Sequence, residues 1–258
     1  MINFIAGGMM GDFIHSLYVV KQLCAQNNKK ANLLIAEGHG DVWRFDLNKT
    51  HADLKSLMNN QDYINNFGIL NPTEFNEPAV NLTDWRKTLI HTDAGYEKCW
   101  SEVLSECYKF QILDEYKWLN ASEDAITKNK IVIHRSVHRH NGEFPWKKIL
   151  DTYKNEEVVF LTSHITEWDV FPHKYGNIRL HQVSTVSDMA NAVNSCKMFI
   201  GNQSAPFSLA CALDVPRLVE LDYDPAAFYM DEKKYSNKIS WFLNQDKKFN
   251  YANSLINL

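Results

Sequence analysis

Three short stretches of this sequence bring together residue types that can do chemistry. In "GGMMGDFIH" (7–15) the glycines Gly7, Gly8 and Gly11 form a turn, followed at once by Asp12 and, three residues on, by His15. A carboxylate at the start of a helix is stabilised by the positive end of the helix dipole. Asp12 is therefore expected to stay ionised, able to accept a hydrogen bond from a neutral hydroxyl or to take its proton. The same charge competes with a phosphate for the helix start, which argues against an anion at this turn. A helix cap is the structural alternative for Asp12, and an ordinary polar helix position is the alternative for His15.

"HRSVHRHNGEFPWKK" (134–148) carries Arg135, Arg139, Lys147 and Lys148 among three histidines. A guanidinium in such a loop suits a diphosphate, because its planar fork gives two parallel charge-assisted hydrogen bonds. A solvated basic loop is the plainer reading. No carboxylate or cysteine joins His134, His138 and His140 in a metal-binding pattern, so no metal is expected. In "FIGNQSAPFSLACALDVPRLVEL" (199–221), Ser204 and Ala205 fall where a helix start presents backbone N–H groups to a diphosphate, with the Ser204 hydroxyl as a further donor. Pro206 suits the first helical turn, where its missing N–H is not needed. Glu220, near the end of an apolar run, is the candidate for ribose hydroxyls; Asp222 competes with it, and Glu167 ranks behind both as a wall of the base pocket.

These residues must be held by elements, and the periodicity supplies them. Ile2 to Ala6 reads as a buried parallel strand, and Phe13, Leu17, Val20 and Cys24 share one face of the helix that follows. Residues 31–38 form the next strand. Leu54 to Met58 is helical, 63–70 is ambiguous between strand and helix, and 85–110 carries one or two helices. Strands at 130–135, 157–162, 177–181, 197–201 and 217–221 alternate with helices near 145–154, 186–195 and 204–213, the rhythm of a parallel sheet with covered faces. The polar stretch 118–130 marks a boundary. Two Rossmann-like lobes facing a cleft are expected, a small one over 1–118 and a second over 119–258, with a closing helix at 249–258.

Composition narrows the functional classes. With 258 residues, 45% of them hydrophobic and 22% charged, the chain has enough apolar material for a substantial core. A net charge of −4 provides no global field for nucleic acid. Five scattered cysteines, Cys24, Cys99, Cys107, Cys196 and Cys211, show neither paired spacing nor zinc-knuckle spacing, so reduced thiols are expected. The N-terminus lacks a signal-peptide pattern and no run is long enough to span a membrane, which points to the cytoplasm.

Taken together, "GGMMGDFIHSLYVVKQL" and "FIGNQSAPFSLACALDVPRLVEL" resemble the N-terminal and C-lobe motifs of the heptosyltransferase-like glycosyltransferases, glycosyltransferase family 9. The resemblance covers the start of the chain and most of 128–221. It implies the two-lobed GT-B fold and an inverting transfer of sugar from a nucleotide sugar to a hydroxyl acceptor, with no metal. It also implies Asp12 as catalytic base with His15 nearby, the donor held by Arg139 or Lys147 and by Gln203, Ser204 and Ala205, and Glu220 on the ribose. The sequence departs from the family at Gln203, where the family has aspartate, and at Ser208, where it often has histidine. A backbone-based phosphate cradle tolerates both changes. A non-catalytic nucleotide-sugar or glycan-binding protein of the same fold is the alternative, and a Rossmann oxidoreductase or epimerase is disfavoured because "GGMMGD" is not GxGxxG. The acceptor class, whether glycan, lipopolysaccharide, protein or modified nucleic-acid base, is left open.

Overall fold

A computed structural model describes residues 1–37, 43–88, 100–112, 117–142, 144–171, 178–220 and 239–242. The chain divides into two compact units, the first running to Asn120 and the second beginning at Ala121. The first contains β1 (Ile2–Ala6), α1 (Met10–Asn27), β2 (Ala31–Ile35), α2 (Leu47–Asn59), β3 (Ile64–Ile69), β4 (Val80–Asn81), α3 (Trp85–Thr88) and α4 (Trp100–Tyr108). Its sheet has the order β3-β2-β1-β4, all parallel. The second contains β5 (Ile131–His134), α5 (Trp146–Thr152), β6 (Val158–Thr162), α6 (Ile165–Val170), β7 (Ile178–Gln182), α7 (Val186–Ser195), β8 (Met198–Asn202), α8 (Ala205–Ala212), β9 (Arg217–Glu220) and β10 (Ile239–Phe242). Its parallel sheet has the order β10-β9-β8-β5-β6-β7. Counted from β5, that is the 3-2-1-4-5-6 order of a Rossmann unit.

The apolar runs of the second half become central strands buried on both faces, with every residue of β5, β6, β8 and β9 inside. Ile131, Ile133, Phe160, Ile200 and Leu218 form its core with Trp146, Ile149 and Leu150 of α5. In the first unit, β1 and β2 alternate buried and half-buried residues. The ambiguous stretch 63–70 contains β3, an edge strand whose one buried side chain is Phe67, which is why its apolar signal was weak. Two-residue β4 was too short to carry a period. α2 starts earlier than its apolar stripe, because the Asp46 carboxylate caps it by accepting the Lys49 N–H at 3.0 Å.

Side chains bind Asn120 of the first unit and the first residues of the second within their own units. Gln61, buried, binds both the N–H and the C=O of Asn120 at 2.8 and 2.9 Å, while Asn191 and Asn194 of α7 bind Ser122 and Ala121. The cysteines within the described residues, Cys24, Cys107, Cys196 and Cys211, are free thiols. Burial pushes Cys24 up to about 11 and Cys196 up to about 12, so neither is a nucleophile at neutral pH. No helix among the described residues is long and apolar enough to cross a membrane. The expected closing helix at 249–258, Cys99 and Asp222 lie outside the described residues.

Candidate functional site

In an open parallel sheet, the crevice for a ligand lies at the carboxyl ends of the strands where the order reverses. The first unit reverses between β1 and β4. Leaving β1, the chain turns at buried Gly7 and Gly8; Gly8 has φ 68°, a left-handed conformation that favours glycine. α1 then begins with Met9 as its N-cap, and no side chain caps it. Asp12 is the third helical residue, so the reading of it as an N-cap is removed. Its carboxylate forms an ion pair with Arg86 Nη2, each side chain being 27% exposed.

Arg86 follows β4, and its N–H donates to Thr83 O at 3.1 Å in a turn that side chains hold. Asn81 Oδ1 accepts the Thr83 N–H and hydroxyl at 3.0 and 2.8 Å. The half-buried Tyr108 phenol donates to Asn81 O at 3.0 Å and accepts the Trp85 N–H at 3.4 Å. Burial raises the Tyr108 phenol, which keeps it protonated as that donor. The Arg86 guanidinium lies 4.6 Å from the centre of the Trp85 ring. His15 lies one turn along α1 from Asp12, inside the unit. It is 5% exposed, with its ring centroid 6.1 Å from that of Trp118, whose indole N–H donates to Ile14 O at 2.8 Å. Its position is one of packing along α1, because the buried face of the helix runs through residues 13–20.

The second unit reverses between β5 and β8. Gly201 lets these strands approach there: a Cβ on it would lie 2.5 Å from His134 O. The loop after β5 runs past the start of α8. Arg139 is exposed and left-handed at φ 57°, a conformation that costs an arginine about 1–2 kcal/mol. Ser204 is the N-cap of α8, and the N–H groups of Ala205 and Phe207 precede the first helical bond, Ser208 N–H to Ser204 O at 3.1 Å. The Ser204 hydroxyl donates to Asn202 O at 3.1 Å, so the anion-binding capacity here rests on backbone N–H groups. Gln203, half-buried, sits in the same turn.

Glu220 is not placed for ribose. It has no exposed surface, and both oxygens are taken by Arg135 Nε at 3.2 and 2.9 Å, Arg135 Nη2 at 2.7 Å, the Asn141 N–H at 2.8 Å and the Trp146 indole at 3.3 Å. A buried carboxylate must be paired in this way, so its role is to anchor the loop. Lys147 lies on the exposed face of α5, where its ammonium pairs with Asp151 at 2.5 Å one turn along. Glu167 is buried against the Thr162 hydroxyl, 4.0 Å from His134. His134 donates Nδ1–H to Leu161 O at 2.9 Å, and burial pushes its imidazole below the ordinary value, so it is neutral. No cluster of three His, Cys, Asp or Glu that could hold a metal occurs among the described residues. Sequence reasoning missed Arg86 and Asn202. The signal for the first was the turn-forming "NLTD" ahead of Trp-Arg, and for the second a polar residue ending an apolar strand.

No protein-family model matches the sequence, and no curated protein matches it. Solved structures do match. ADP-heptose lipopolysaccharide heptosyltransferase II of E. coli aligns over 95% of this chain and 91% of its own, at 12% identity and a TM-score of 0.60. E. coli heptosyltransferase WaaC with ADP aligns over 93% and 92%, at 9% identity and 0.57. A family 9 glycosyltransferase of Veillonella parvula aligns over 95% and 86%, at 10% identity and 0.57. The chain shares the fold of these proteins, an α/β architecture of two Rossmann-like units, as the sequence reading expected.

Proposed function

We propose that the protein is an inverting glycosyltransferase that moves a sugar from a nucleoside-diphosphate sugar to a hydroxyl acceptor. The observation that carries this reading is the switch point of the second unit, where exposed Arg139 and the first N–H groups of α8 are brought to the same strand ends. Fixed N–H dipoles and a guanidinium stabilise the charge that develops on a departing diphosphate. The likeness to heptosyltransferases solved with ADP and with ADP-2-deoxy-2-fluoro heptose supports that donor class.

Asp12 is the base of this reaction. The acceptor oxygen attacks the anomeric carbon as the bond from that carbon to the diphosphate oxygen breaks, and the acceptor proton passes to the Asp12 carboxylate. Arg86 holds the carboxylate before the acceptor arrives. Gly7 and Gly8 shape the turn from which α1 starts, whereas Gly11, expected in that turn, is the second residue of the helix; no covalent intermediate is required.

The test is a panel of nucleotide sugars. UDP-, ADP- or GDP-sugars are expected to raise the melting temperature, by the equivalent of about 2.7 kcal/mol at a hundredfold excess over Kd, while NAD and NADP do not. A shift with NAD alone would overturn the reading. Binding with neither transfer nor slow hydrolysis of any donor would leave a non-catalytic nucleotide-sugar binder.

A further inference from the structure

The loop that follows β5 is exposed, yet two side chains with no exposed surface organise it. Glu220 ties down its ends, through the Arg135 guanidinium and the Asn141 N–H. Asn202, the last residue of β8, holds its middle. The Asn202 carbonyl oxygen of the amide accepts the Ser136 N–H at 3.1 Å, and its Nδ2 donates to His138 O at 2.6 Å and to Ser136 Oγ at 3.0 Å, with Arg139 O at 3.4 Å. The backbone carbonyl of the same residue accepts the hydroxyl of Ser204, the cap residue of α8. One residue is thus bonded both to the loop carrying Arg139 and to the helix start.

Arg139 gives the arrangement its direction. Its left-handed backbone is one that arginine does not choose, and the loop has neither glycine nor asparagine at that place to favour it. Such a conformation persists where surrounding contacts over-determine it. The contacts here include those of Asn202, beside the Ser136 hydroxyl on His138 O at 3.0 Å and the His140 ring on Ser136 O.

We propose that Asn202 is a positioning residue of the donor site: it locks residues 136–139 so that Arg139 and the first N–H groups of α8 act on one diphosphate. The proposal rests on the donor-binding reading above, and two measurements separate the two claims. In limited trypsin digestion of the full chain, Asn202→Ala is expected to raise cleavage after Arg139 roughly tenfold, leaving cleavage after Lys147 and Lys148 of α5 unchanged, because the Glu220 anchors remain. Asn202→Asp keeps the size and the acceptor but loses the donors, and is expected to do the same should the alanine variant fold poorly. Calorimetric titration with ADP, UDP and GDP then compares Asn202→Ala, Arg139→Ala and the double variant. If Asn202 acts through Arg139, the double variant binds no more than about twofold weaker than Arg139→Ala alone. Unchanged cleavage after Arg139, cleavage rising equally at every site, or losses of affinity that multiply would each overturn the proposal. If the unaltered protein binds none of the three nucleotides, the donor reading fails and the positioning role falls with it, while the trypsin result still reports whether Asn202 locks the loop.

Discussion

Each unit sets a carboxylate against an arginine where its sheet reverses, and the two pairs differ in what water can reach. Asp12 and Arg86 are each 27% exposed, whereas Glu220 has no exposure and Arg135 has 15%. The buried pair is saturated, with Asn141 and Trp146 completing the carboxylate's partners. Its value is architectural, because a charge removed from water must be fully satisfied or the fold loses stability. The half-exposed pair can exchange one partner for an incoming hydroxyl at modest cost. Two similar ion pairs therefore serve different ends, and solvent access separates them. The sequence reading gave both carboxylates a role in contact with substrate, and the full burial of Glu220 leaves it no surface for one.

The comparison can be broken at its widest point with Asp12→Asn. Turnover is expected to fall by ~10²–10⁴-fold, the scale of a lost general base. Folding and nucleotide affinity should be retained, since Met9, not Asp12, caps α1. Steady-state kinetics and calorimetry on one purified variant decide it, and near-normal turnover would make the exposed pair structural as well. At the buried pair, Glu220→Ala leaves Arg135 without its partner and is expected to cost about 3–5 kcal/mol in urea unfolding. A loss below 1 kcal/mol would erase the contrast.

A smaller effect tests how dry the second unit is around β5. Because His134 is held neutral, with its folded pKa below the ordinary value, its contribution to stability is present above about pH 6.5 and is lost as pH falls toward the folded pKa. Stability should drop by up to about 1.4 kcal/mol per pH unit below 6.5 on account of this residue, and His134→Gln should remove that part of the slope. Equal slopes in both proteins would mean that His134 is not kept neutral. The smallest change is expected from Arg86→Met. A pair this exposed contributes about 0–1 kcal/mol to stability, so urea midpoints should barely move. A loss of several kcal/mol would place Asp12–Arg86 in the same class as Glu220–Arg135.

Much of the fold was legible. β5, β6, β8 and β9 are apolar runs buried on both faces, and their alternation with helices declares a parallel sheet. β3 and β4 were not legible, because an edge strand with one buried side chain and a two-residue strand leave no period to read. Within the candidate site, the glycine turn, the first-turn aspartate and the helix start with Pro206 are local features, which the order of residues expresses directly.

What the sequence determined by itself was whatever depends on neighbours along the chain: the strands with strong apolar runs, β1, β2, β5, β6, β8 and β9, where α1 and α8 begin, and that a carboxylate stands in one first turn. Tertiary structure alone decided the partners. Asp12 meets Arg86 across 74 positions and Arg135 meets Glu220 across 85, while Asn202 reaches back 66 residues to Ser136. Those meetings follow from strand order, which brings the ends of β1 and β4, and of β5, β8 and β9, together. Burial is likewise set by what packs around a residue in space, and it made Glu220 an anchor while leaving Asp12 within reach of solvent.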